Sequence, residues 1–160
     1  MWPLILLAPL LAVDLPRPLE LGQDAVEVTL IEPGDADARR RVSAIASDPE
    51  ENLVLRLRGV EADEDPGASW EIYVASSDEA DGDNVPALAG ILSLYGAPPS
   101  AAFVFPLDTA VVTGKPVGLK VIFRPTSGIV VDGEPVPPTV RTSVRIGSIR
   151  LETEEGAAIR

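Results

Sequence analysis

A chain of 160 residues suffices for one domain with a real core, and 46% hydrophobic with 24% charged residues is ordinary for a globular protein, which excludes disorder throughout. Lys and Arg number 13 against 25 Asp and Glu, a formal charge of -12, so the surface repels a phosphate backbone and nucleic acid is not an expected partner. Cys and His are absent, which removes disulfides and thiolates, the commonest ligand of zinc, copper and haem, and any Ser-His-Asp arrangement.

Residues 1–13 are strongly apolar, but the run is shorter than the ~20 residues of a spanning helix and Pro9 interrupts it, so no membrane span is expected. It has no Lys or Arg and no clean small-x-small cleavage site. Two readings stay open. A degenerate signal or anchor would place the chain in a secreted or periplasmic setting rather than the cytoplasm; a terminal strand or arm would pack on the domain or cover an apolar patch of a partner. Asp14-Leu15-Pro16-Arg17-Pro18 reads as an extended linker, because each Pro pushes the residue before it out of the helical region. The expected organisation is an apolar segment and linker over 1–24, a domain over 25–152 and a polar tail over 153–160.

Val26, Val28 and Leu30 alternate with Glu27 and Thr29, a strand ended by the turn residues Glu32-Pro33-Gly34-Asp35. Arg39-Arg40-Arg41, beside Asp35 and Asp37, reads as a solvated loop. The clearest alternation follows, with Leu53, Leu55 and Leu57 inward and Arg56 and Arg58 outward. An acidic turn over 61–67 leads into Ser69-Trp70-Glu71-Ile72-Tyr73-Val74, where Trp70, Ile72 and Val74 share one face and Glu71 and Tyr73 the other. Residues 87–92 form the next apolar run, Tyr95-Gly96-Ala97-Pro98-Pro99-Ser100 a rigid loop, and 101–106 a strand with Phe103 and Phe105 on one side.

Residues 107–112 are ambiguous between helical turn and strand, and Thr113-Gly114-Lys115-Pro116 breaks them. Leu119, Val121 and Phe123 face inward from a further strand, and 125–138 is a loop or hairpin excursion. In the last strand Val144 and Ile146 set an even inward register while Ile149 and Leu151 are odd. The register therefore slips at Gly147-Ser148, where a glycine suits the extra residue of a β-bulge. About seven β-rich runs, 16 prolines and no convincing helical stripe give an all-β single domain, an antiparallel β-sandwich with aligned sheets.

Asp78, Glu79, Asp81, Asp83 and Asn84 crowd oxygen ligands into one Gly-containing loop that a hard cation such as calcium would accept, although the spacing is not an EF-hand. The plain alternative is a solvated hairpin tip. Paired carboxylates for acid/base catalysis need one group held in an apolar setting, and here the acids sit in turns. No catalytic residue, metal centre or cofactor is expected.

In order along the chain, several segments resemble the C-terminal domain of plant and bacterial polyphenol oxidases, named for its Lys-Phe-Asp-Val signature. Ser69, Trp70, Glu71 and Ile72 stand at the four signature positions and Tyr73-Val74 continue the strand. Residues 53–61 are similar to the family's preceding strand with its Gly-Ile/Val-Glu step, Leu88-Ala89-Gly90-Ile91-Leu92 to its Phe-Ala-Gly-Ser-Phe element, 119–125 to its penultimate strand, and 144–152 to its closing Ile-Gly-Gly-Ile-Lys-Ile-Glu strand. The resemblance runs from Val26 to Glu152. It departs from the pattern at the signature Lys and Phe, in the longer 125–138 segment, and in having Met1 where an oxidase domain would precede.

The resemblance implies a non-catalytic β-sandwich that packs over a binuclear copper site and keeps a phenol oxidase latent, with the copper-binding histidines all in the other domain. It implies a copper-containing phenol oxidase, as domain or separate chain, for a partner. The loop after Leu92 then faces the catalytic domain, with Tyr95 as plug and Pro98 and Pro99 beside it; the plain alternative is a Tyr capping the end of the sandwich. The other function class is a secreted or surface β-sandwich interaction module without an oxidase partner, with calcium as an optional aid.

Overall fold

Period-two patterning translates directly into paired strands. The computed structural model describes residues 11–13, 17–32, 34–38, 40, 42, 51–76, 86–107 and 118–155. Among them lie twelve strands: β1 (Leu11–Val13), β2 (Leu19–Leu21), β3 (Val26–Ile31), β4 (Glu51–Ala62), β5 (Ser69–Ser76), β6 (Ala87–Leu92), β7 (Ala101–Pro106), β8 (Leu119–Thr126), β9 (Val130–Val131), β10 (Glu134–Pro135), β11 (Val144–Ile146) and β12 (Ser148–Glu155). Every run read as a strand from the sequence is one, and the surplus over seven consists of short strands of two or three residues.

Two antiparallel sheets form the sandwich. In the first, β11 and β12 lie end to end along β4, β7 takes the other edge of β4, and β1 and β2 pair with β12 and β11 on the far side. The second has the order β3-β8-β5-β6. Residues 11–13 and 19–21, on either side of the expected linker, thus add strand to the sheet edge rather than standing apart. Inward side chains of both sheets make one core: Leu53, Leu55 and Leu57 from β4, Trp70, Ile72 and Val74 from β5, Val121 and Phe123 from β8, Ile149 and Leu151 from β12 are all buried. Apolar area removed from water, at roughly 25 cal/mol per Å², supplies the main favourable term.

The face switch at Gly147 is present, and it is shared. Leu57 pairs with Ile149 and Ala62 with Val144 in one unbroken register, because β4 also changes face, from Leu57 to Val60, at Gly59. Gly59 has φ +64, a left-handed conformation that suits glycine. The extra residue appears as a bulge only against β7, between Leu57 and Val60, where two residues of β4 oppose one.

Two readings of connections change or sharpen. The Arg39–Arg41 neighbourhood, read as loop, contains helical residues at 36–38, 40 and 42, with Ala38 and Val42 buried and Asp35 Oδ1 accepting from the Ala38 backbone N–H at 3.1 Å as an N-cap. A helical stretch this short does not show a convincing stripe in sequence. The 125–138 excursion is a hairpin of β9 and β10 whose two-residue Asp132-Gly133 turn has φ 51 and 81, the primed geometry that Asp-Gly favours. Residues 108–112 and the acidic loop with Asp78, Glu79, Asp81, Asp83 and Asn84 lie outside the described residues.

Candidate functional site

Strand β5 sends every second side chain into the core. Trp70 and Ile72 are 0% exposed and Val74 is 2%. The Trp70 indole N–H donates to the Gly22 carbonyl at 3.3 Å, so the side chain crosses the core and ties β5 to the segment following β2 in the other sheet. On the outer face the Tyr73 hydroxyl donates to Glu71 Oε2 at 2.8 Å, and Arg124 stacks 5.0 Å from the centre of the Tyr73 ring. That hydrogen bond to Glu71, then partial burial and the Glu71 charge, push the Tyr73 phenol above its ordinary value; the Arg124 charge opposes them.

Tyr95, Pro98 and Pro99 stand elsewhere, in the β6–β7 connection. The Ala97 backbone N–H donates to the Leu94 carbonyl at 3.0 Å, closing a turn whose third residue, Gly96, has φ +71, the sign a type II turn requires. This geometry puts Tyr95 at the apex, 97% exposed, while Leu94 packs against the core. Pro98 and Pro99 then stiffen the way into β7, and all three residues line one groove of about 350 Å³.

The opposite wall was not evident in the sequence. It is the end of β4 and the turn after it, including Glu61, Glu64 and Asp65, with Val60, Ala62 and Pro66 as apolar floor. Pairing of Val60 with Ala101 brings this turn beside a loop more than thirty residues away. Hydrogen bonds fix the turn: Asp65 Oδ1 accepts from the Gly67 N–H at 2.9 Å, and the Pro66 carbonyl accepts from the Arg141 N–H at 2.8 Å. Asp63, next along, is held by Arg145 through contacts of 3.0 and 3.3 Å, and this hydrogen bonding and charge keep its carboxyl below the ordinary value of 3.8. Among the described residues Glu64 and Asp65 make no ion pair.

Chemically, the groove offers an aromatic face, proline rings and carboxylates. Among the described residues no group of three or more Asp or Glu is placed to hold a metal ion, and no helix is long and apolar enough to cross a membrane.

No protein-family model and no curated protein matches the chain. Of solved structures, a recombinantly expressed latent aurone synthase (polyphenol oxidase) is similar at a TM-score of 0.46 and 16% identity, over 86% of this chain and 25% of that one. A second structure of recombinantly expressed latent aurone synthase (polyphenol oxidase), co-crystallised with hexatungstotellurate(VI) and soaked in H2O2, is similar at a TM-score of 0.46 and 16% identity over 85% of this chain. The chain spans about a quarter of the length of these neighbours, 25% in each.

Proposed function

We propose that the chain is a non-catalytic β-sandwich module that covers a copper-containing phenol oxidase, with the 94–100 loop as the face laid against it. Support comes from the ordered resemblance of the strands between Val26 and Glu152 to the polyphenol oxidase C-terminal domain. The observation that carries the reading is Tyr95, 97% exposed at the apex of a turn closed by the Leu94–Ala97 hydrogen bond. A large aromatic left in water on a closed turn has little packing reason to be there, and with only two side-chain torsions it has little rotamer freedom to lose on docking.

Purified chain mixed with a phenol oxidase catalytic domain lacking its own cover suppresses phenol oxidation, and Tyr95→Ala weakens the suppression. Unchanged turnover at saturating chain removes the proposal. A second reading, an interaction module with no oxidase partner, draws on a different surface: Ile129, Val130 and Val131, 56%, 65% and 55% exposed around the β9–β10 hairpin. Loss of self-association or partner capture in Val130→Thr, with phenol oxidation unaffected by the chain, supports that reading instead.

A further inference from the structure

We infer that the groove between the 94–100 loop and the turn after β4 takes an extended, Lys- or Arg-bearing segment of a protein partner. The inference rests on reading that loop as the partner-facing end, and it adds the chemistry of what docks there. Three carboxylates, Glu61, Glu64 and Asp65, line the groove, and no Lys or Arg does. Of the acids in this turn Asp63 is matched by Arg145, whereas Glu64 and Asp65 have no ion-pair partner among the described residues.

The remaining surfaces of the groove suit the rest of such a side chain. A guanidinium or ammonium group placed over the exposed Tyr95 ring gains cation–π attraction while its methylene stem lies along Pro98 and Pro99. A volume of about 350 Å³ holds one or two side chains of this length rather than a folded element. The acidic net charge of -12 raises the encounter rate with a cationic partner and disfavours an acidic one.

The test uses the full ¹⁵N-labelled chain and two blocked Gly-Ser peptides of equal length, one with three arginines, the other with glutamates in their place. The arginine peptide shifts the amides of residues 61–67 and 94–100 saturably, and the glutamate peptide does not. Glu64→Gln with Asp65→Asn weakens the arginine peptide by about fivefold, as expected for two rim charges. Glu32→Gln with Glu134→Gln, removing the same charge elsewhere, leaves it unchanged. Shifts scattered over the whole acidic surface, no binding, or equal weakening by both double variants overturns the inference. In the oxidase assay, groove binding without suppression sinks the cover reading alone, and suppression indifferent to Glu64→Gln/Asp65→Asn sinks this one alone.

Discussion

Gly147 sits against Gly59 at the point where both of their strands change face. The Gly147 backbone N–H donates to the carbonyls of Arg58 at 3.0 Å and Gly59 at 3.2 Å, and the two backbones approach so closely that a Cβ on Gly147 would stand 3.3 Å from the Arg58 oxygen. A face switch in one strand alone would misalign every later rung of its neighbour; a matched pair leaves register intact. Gly59→Ala forces an L-residue to φ +64 and is expected to cost about 1–2 kcal/mol. Gly147→Ala, whose φ is not positive, carries no such backbone penalty, and its cost comes instead from the 3.3 Å approach of the new Cβ to the Arg58 oxygen. Urea unfolding measures both, and equal stability of Gly59→Ala and the parent would contradict the account.

How much of this was legible follows from where the signals lie. Leu53, Leu55 and Leu57, or Trp70, Ile72 and Val74, carry their orientation in their spacing, so strands and core were readable locally. The switch at Gly147 was readable too, from the change of parity between Ile146 and Ile149. Its partner at Gly59 was not, because Val60 follows an alternation that looks complete without it. The far wall of the groove was hidden for another reason: Glu64 and Tyr95 meet only through the β4–β7 pairing, and pairing partners leave no mark in one sequence.

Gly90 marks where the edges of the two sheets close on each other. A Cβ there would lie 2.5 Å from Phe105 Cδ1, so Gly90→Ala forces the buried ring to move and is expected to cost about 1–3 kcal/mol. Phe105→Leu opens space at the same point. The double variant is therefore less destabilised than the sum of the two single variants, and additive losses in denaturant midpoints would argue against the contact.

Trp70 fills the core centre and hydrogen-bonds to Gly22, so its removal acts on both sheets. Trp70→Ala is expected to lose about 3–5 kcal/mol, and Trp70→Phe, which keeps a ring but gives up the N–H donor, roughly 1–3 kcal/mol. In a Trp2→Phe background the remaining indole emission reports this site directly. A blue-shifted folded-state band, moving red in the same transition that backbone circular dichroism follows, is the expected result.

The Arg145 hydrogen bond and charge lower the folded-state pKa of Asp63 below 3.8, so its contribution to stability is complete above the unfolded value and fades as pH falls through the folded one. Asp63→Asn lacks that contribution. The difference in thermal midpoint between parent and Asp63→Asn is then small but constant near neutrality, and it closes as pH falls from the unfolded value of 3.8 through the lower folded one. A gap that stays open in acid would mean that packing, and not charge, distinguishes the two.

Tyr73 gives the opposite sign. Its hydroxyl donates to Glu71, which favours the protonated phenol, and partial burial and the Glu71 charge add to this against the nearby Arg124. A folded-state pKa raised above 10.0 means a contribution that is whole below the unfolded value and is lost as pH climbs through the folded one. With Tyr95→Phe leaving Tyr73 as the single tyrosine, phenolate absorbance on alkaline titration has a midpoint above the ordinary value, and Glu71→Gln moves it down because the charged acceptor is gone. Arg124→Gln moves it up, since the cation stacked on the ring, whose charge favours the phenolate, has been removed. Should Glu71→Gln leave the midpoint where it was, the hydrogen bond would not be what holds the proton.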